Sequence, residues 1–264
     1  MKALKQALFC VSELNSYGYV LYQLVRQQLI LRYRRTVLGY LWTLLNPVLM
    51  MTVTAVVFSG LFSTDLKTFA IFLFAGMIPW NFFNALVTQS SLAFVSNEGL
   101  MKKIYLPKAI FPLAVSLSVL IDSFLSFGFL LLILLGLGGG LSFSLLSIPL
   151  SYLLLFFFSL GISFFVSIAT VFFRDLQYVV GIGLQALFFL TPVLYKNNAL
   201  VGKVGFIVKL NPIGLYIDLF RFPLVYGIFP SVTTFCMALL VTFVIFSVGL
   251  LFFLSQQDKI VFRL

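Results

Sequence analysis

The chain has 264 residues, 62% of them hydrophobic and only 9% charged, with a mean hydropathy of +1.14. A soluble domain carries about 25% charged residues, so this composition excludes a soluble globular enzyme, a disordered chain and a secreted disulfide scaffold. The net charge of +10 on so apolar a chain points to membrane orientation and anionic headgroups rather than to nucleic acid.

Residues 11–35 come first. Leu14, Tyr17, Leu21 and Leu24 follow helical spacing on one stripe, whereas Asn15, Gln23, Arg26 and Gln27 lie elsewhere. The run ends in Arg32-Tyr33-Arg34-Arg35. This predicts an amphipathic helix in the membrane interface, its arginines among headgroups; a solvated anchor is the plainer reading. The Ala7–Val11 patch is too short for the apolar region of a signal peptide.

Apolar runs then predict an all-α, polytopic membrane protein with six transmembrane helices, forming a single transmembrane domain over 1–264. The expected spans are Leu38–Phe62, Phe69–Phe94, Ile110–Leu135, Leu145–Phe173, Tyr178–Tyr195 and Pro230–Leu254. The stretch Val201–Phe229 is broken by Gly202, Gly205, Pro212, Gly214 and Pro223. It reads as a re-entrant outer hairpin, because broken backbone at membrane depth must be buried in protein or line water; a seventh span is the alternative.

An even number of spans puts both termini on one side, with loops 95–109 and 174–177. That side carries Lys2, Lys5, Arg26, Arg32, Arg34, Arg35, Lys102, Lys103, Lys108, Arg174, Lys259 and Arg263. The other side carries Lys67, Lys196, Lys203, Lys209 and Arg221. The positive-inside rule therefore places both termini in the cytoplasm.

The stock of reactive groups is small. With no His, there is no imidazole base and no Ser-His-Asp triad. Cys10 and Cys236 are too few for a metal cluster, so no catalytic residue and no metal site are expected. Gly136-Leu-Gly-Gly-Gly140 lacks the Gly-Lys-Ser/Thr of a Walker A loop, and Gly181-Ile-Gly183-Leu-Gln-Ala186 sits inside a span with no strand before it. No cofactor site is expected in this chain.

Asp122 falls near the middle of the third span. Its insertion costs about 2.5–3.5 kcal/mol, which the apolar residues around it outweigh. It serves either as an ion or proton relay, or as a structural group bonded to a nearby Ser or Tyr, and the lack of other central ionisable groups favours structure. Pro47, Pro79 and Pro192 each free a carbonyl and bend a helix; Asn46 could satisfy one such carbonyl or face a conduit. Tyr40, Trp42, Trp80, Phe82 and Phe83 offer flat faces for sugar rings or serve as ordinary packing. Arg174-Asp175 reads as a local ion pair or a partner contact, and Asp218 and Arg221, three apart, could pair on one helical face.

The loop 96–108 reads as a short capped helix with apolar and basic projections: Asn97, Glu98, Leu100, Lys102, Lys103, Ile104, Tyr105 and Pro107. Exposed Leu, Ile and Tyr suit docking into a groove on a soluble partner.

Arg34-Arg-Thr-Val-Leu-Gly-Tyr-Leu-Trp-Thr-Leu-Leu-Asn-Pro47 resembles the start of the first span in ABC-2 type permeases that export polysaccharides such as O-antigen, capsule and teichoic acid. Asn97–Pro112, Phe173-Arg-Asp-Leu-Gln177, Leu190-Thr-Pro-Val-Leu-Tyr195 and Leu210-Asn-Pro-Ile-Gly214 agree in order. The resemblance covers about residues 10–264; the tail Asp258–Leu264 is less typical.

That resemblance implies a six-span subunit of the bacterial inner membrane that forms a homodimer and works with a separate cytoplasmic ABC ATPase, which binds the ATP and Mg. It implies a lipid-linked glycan as substrate, with ATPase contact through 11–35 and 96–108 and an exit shaped by 199–229. Arg32, Arg34 and Arg35 would steer the carrier diphosphate, and Tyr40, Trp42, Asn46, Trp80, Phe82, Phe83 and Asp122 would be the channel-lining candidates. A drug or lipid permease of the same fold is the alternative, and a membrane glycosyltransferase fits less well because the seven acids are scattered.

Overall fold

Apolar runs this long satisfy their backbone groups in lipid only as helices, and every regular element among the described residues is helical. A computed structural model of the chain describes residues 16–32, 36–136, 142–196, 202–260 and 263. Helix α1 is Gly18–Arg32, α2 Trp42–Leu61 with a 3-10 turn at Gly39–Leu41 before it, and α3 Leu66–Ser91. A four-residue α4, Glu98–Met101, lies between α3 and α5, Ile110–Gly136. Then come α6, Ile148–Phe172, α7, Leu176–Phe189, α8, Gly202–Leu210, α9, Ile213–Arg221, and α10, Val232–Gln256.

Five of these, α2, α3, α5, α6 and α10 with their flanking turns, are long and apolar enough to cross a membrane. Helix α3, with 26 residues, reaches about 39 Å at 1.5 Å per residue, against a hydrocarbon core of about 30 Å. The expected fifth span, 178–195, differs. Helix α7 has 14 residues and reaches only about 21 Å. It stops where the Thr191 hydroxyl bonds back to the Leu187 carbonyl at 2.6 Å and Pro192 follows, which removes a donor.

Beyond it, α8 and α9 have nine residues each and reach about 14 Å, too short for the alternative seventh span. They are tied to the end of α7 by one side chain. Asn211 Nδ2 donates to Thr191 Oγ1 at 2.7 Å and to the Leu190 carbonyl at 3.3 Å, while its Oδ1 accepts from Ile213 N–H. The Leu190-Thr-Pro and Leu210-Asn-Pro segments, distant in sequence, thus lock together. Helix α9 buries Ile213, Tyr216, Ile217, Leu219 and Phe220 against α3, α6 and α10.

Helices α3 and α6 form the interior, and α10 lies along α6. Lipid tails are as apolar as Leu, so small residues and close packing draw spans together. At the α6–α10 crossing, a Cβ added to Gly249 would stand 2.0 Å from the Gly161 carbonyl oxygen. Buried aromatic hydroxyls are paired: Tyr152 with Ser123 at 3.1 Å and Tyr216 with Thr242 at 2.7 Å. Helix α1 packs on α5 through buried Leu24 and Val25, and Ser118 Oγ donates to Gln28 Oε1 at 2.8 Å. Tyr17 and Leu21 of the expected stripe pack on the same core, while Leu14 lies outside the described residues.

Candidate functional site

A largely apolar cavity of about 300 Å³ with a polar patch opens between α2, α3 and α5, in the half of the bundle nearer α4. Ile78, Phe82, Ala85 and Gln89 supply its α3 wall, a four–three–four spacing that keeps them on one helical face. Thr43 and Asn46 from α2, with Asp122, Ser123 and Ser126 from α5, add polar groups inside an otherwise apolar bundle.

Pro47 helps to make that wall. It cannot donate to the Thr43 carbonyl four residues earlier, and Ser126 Oγ of α5 reaches that oxygen at 3.4 Å. Asn46 lines the cavity beside it; the freed carbonyl is served from the neighbouring helix. Asp122 is 8% exposed and accepts a 2.5 Å hydrogen bond from the Tyr40 hydroxyl, a contact of the kind expected for its structural reading.

Of the channel-lining candidates, Trp42, Asn46, Phe82 and Asp122 line this cavity, and Tyr40 touches it through Asp122. Trp80 and Phe83 lie elsewhere, 4% and 3% exposed. The Trp80 ring is 5.4 Å from that of Phe188 on α7, and Phe83 is 5.8 Å from Phe158 on α6. The reason is the enclosure of α3, whose other faces meet α6 and α7.

The connection after α3 is less regular than a capped helix. Asn97 makes no side-chain cap to α4; its Nδ2 turns back to the Ala93 carbonyl at 2.8 Å. Lys102 Nζ is 2.5 Å from Glu98 Oε1, and Arg174 Nη2, from the α6–α7 connection, is 3.9 Å from Glu98 Oε2. The Lys102 hydrogen bond, with the charges of Lys102 and Arg174, holds the Glu98 carboxyl below its ordinary value. Arg174 therefore pairs across to another connection rather than with its neighbour Asp175. Ile104 and Tyr105 are 49% and 68% exposed, and Lys108 Nζ stands 4.9 Å over the Tyr105 ring. Lys103 is also exposed, Leu100 is half-buried and Pro107 is buried. Arg34 and Arg35 lie outside the described residues; the backbone of Arg32 ends α1, and its side chain is likewise outside them.

The opposite end of the bundle holds a charged group that the sequence offers as a partner of Asp218 on one helical face. Arg221 is 3% exposed. Its Nη2 donates to the Val193 carbonyl at 2.7 Å, its guanidinium lies 3.8 Å over the Phe72 ring, and its Nε has no hydrogen-bond partner. Room for it comes from Gly76, where a Cβ would stand 2.9 Å from Nη2. A lone glycine in an aromatic-rich span was the available signal. Among the described residues, no group of three or more His, Cys, Asp or Glu could hold a metal ion.

Comparison with known proteins bears on this architecture. Residues 19–225 match the family model for the ABC-2 type transporter. The O-antigen export system permease protein RfbA of Myxococcus xanthus is 31% identical over 204 residues, covering 76% of this chain and 78% of that protein. Two proteins of the same name from Klebsiella pneumoniae are 29% and 30% identical over 200 residues, each covering 74% of this chain and 77% of the relative.

Proposed function

The chain belongs to the ABC-2 type transporter family, and on that premise we propose that it is the membrane-spanning subunit of an ATP-driven exporter that moves a lipid-linked, O-antigen-like polysaccharide out across the bacterial inner membrane. The observation that carries this reading is similarity over three-quarters of the chain to proteins named O-antigen export system permeases. The geometry agrees with it. A cavity with a polar patch opens in the half of the bundle nearer α4, and the connection after α3 leaves Ile104 and Tyr105 exposed.

In this account two copies of the chain enclose the passage, and a separate cytoplasmic ATPase binds ATP and Mg. Both termini and loop 96–108 face that ATPase. Its closure presses on Ile104 and Tyr105, and the Glu98–Arg174 contact carries the displacement from the α3–α5 connection to the α6–α7 connection. Such a push biases the spans between closed and open arrangements only because the partner binds the two arrangements differently. Arg32, Arg34 and Arg35 draw the carrier diphosphate to the inner mouth, since arginine forks suit phosphate. Exposed Trp42 offers a ring face, and Asn46 of α2 and Asn81 of α3 offer hydrogen bonds, to the passing glycan.

Deleting this chain, or the partner ATPase alone, from the cell that carries it should leave lipid-linked glycan on the cytoplasmic face, with the surface bare. Normal surface glycan in either deletion would contradict the proposal.

A further inference from the structure

Two adjoining cavities lie at the end of the bundle away from α4. The first, about 560 Å³, is walled by Phe72, Lys196, Asp218, Arg221, Phe222 and Tyr226, among others. The second, about 350 Å³, has an apolar wall that includes Phe62, Phe69, Leu194 and Val225. They share Phe72, Lys196 and Tyr226, so a charged compartment continues into an apolar one.

The charged compartment has two cations against one carboxylate. Arg221 is held almost out of water by a hydrogen bond to Val193, by the Phe72 ring and by the charge of Asp218, with Nε unmatched. A buried guanidinium is costly unless anions and acceptors compensate it, and Lys196 adds a second, exposed cation on the same wall. Planar guanidinium forks match phosphate oxygens. The apolar compartment alongside suits a hydrocarbon chain, which an inorganic anion lacks.

We propose that these two cavities form one binding site for an amphiphilic phosphate ester, its phosphate on Arg221 and Lys196 and its apolar chain against Phe62, Phe69 and Leu194. Two sources share that chemistry: a prenyl-type diphosphate and a glycerophospholipid headgroup. On the exporter reading, a departing lipid-linked glycan brings the first to this end of the bundle. That assignment rests on the exporter reading; the site itself rests on the cavities.

The test uses the full-length chain purified in a phosphate-free detergent, titrated with geranyl diphosphate, inorganic pyrophosphate, geraniol and a short-chain phosphatidylglycerol. Binding is read directly and as a rise in the thermal midpoint. Geranyl diphosphate should bind at least about tenfold more tightly than pyrophosphate or geraniol, because each of those lacks one half of the recognition. Arg221→Lys should weaken it about tenfold, since the lost fork removes charge-assisted hydrogen bonds. Lys196→Gln should weaken it several-fold, and Lys67→Gln, which removes a cation of the same end outside both cavities, should leave it unchanged.

Tighter binding of phosphatidylglycerol, with the same dependence on Arg221 and Lys196, supports the site and assigns its occupant to bulk lipid. Absence of binding by either amphiphile, or equal binding by Lys196→Gln and wild type, overturns the proposal. If Arg221→Lys fails to fold, the exposed Lys196→Gln variant still decides the matter. No nucleotide, glycan or second protein is present in this assay, so its failure removes the site and leaves the exporter reading standing.

Discussion

Arg174 Nη2 lies 3.9 Å from Glu98 Oε2, joining two connections that are more than seventy residues apart in sequence. Glu98 is also held by Lys102 at 2.5 Å, so one carboxylate gathers a cation from each connection. These exposed pairs add little to stability; they join the segment that carries Ile104 and Tyr105 to the α6–α7 connection.

Ile104 and Tyr105 are the exposed apolar groups of that segment. Replacing both with Asp should cut stimulation of ATP hydrolysis in the reconstituted complex about tenfold or more, as expected for anchor residues of an interface. Membrane insertion and thermal midpoint should stay unchanged. Wild-type stimulation in the double variant would remove the docking role.

The acid sensitivity of this contact has a definite sign. The Glu98 carboxyl lies below its ordinary value of 4.5, chiefly through its hydrogen bond to Lys102. A lowered value means that the contact's contribution is fully present above pH 4.5 and is lost as pH falls through the lowered value. Hydrogen exchange of residues 98–102 should therefore be flat from neutral pH down to about 4.5, once corrected for intrinsic rates, and then rise. Glu98→Gln should abolish that rise. An unchanged acid response in Glu98→Gln would assign the sensitivity to another group.

The α6–α10 crossing should be intolerant of any side chain. Gly249→Ala places its Cβ 2.0 Å from the Gly161 carbonyl oxygen, and backbone cannot step aside as a side-chain tip can. Overpacking of this kind costs about 1–3 kcal/mol, read as a lower thermal midpoint of the purified chain. A midpoint equal to wild type would show that the helices cross more loosely.

Asp122→Asn keeps an oxygen able to accept from Tyr40, so export should change only modestly. Asp122→Leu removes that acceptor, a loss of about 1 kcal/mol for one hydrogen bond inside a membrane bundle, and should lower the thermal midpoint. Complete loss of export in a normally expressed Asp122→Asn protein would instead make the ionised carboxylate part of the transport step.

Much of this organisation was legible in the chain, because helical spans write their length directly into apolar runs. The first, third and sixth expected spans fall within a few residues of α2, α5 and α10. The fifth was overestimated, since hydropathy sums Leu190–Tyr195 into the span, whereas Pro192 and the Asn211 tether break the helix at Phe189. Side-chain partners were harder to read. Arg174 beside Asp175 looks like a local pair yet reaches Glu98, whereas Arg221, three residues after Asp218, interacts with that charge while its guanidinium turns inward to Phe72 and Val193. Aromatic residues were ambiguous for the same reason: Phe82 and Phe83 are neighbours in sequence, but a helix turns them toward different partners. Only packing around α3 decides which one meets the cavity.

The account stands most directly on one measurement, ATP-dependent movement of lipid-linked glycan in proteoliposomes. The chain alone should move none against a gradient, and adding the partner ATPase with ATP and Mg should start transport that stops when nucleotide is withheld. Sustained uphill transport by this chain without a second protein would contradict the claim that its energy arrives through loop 96–108.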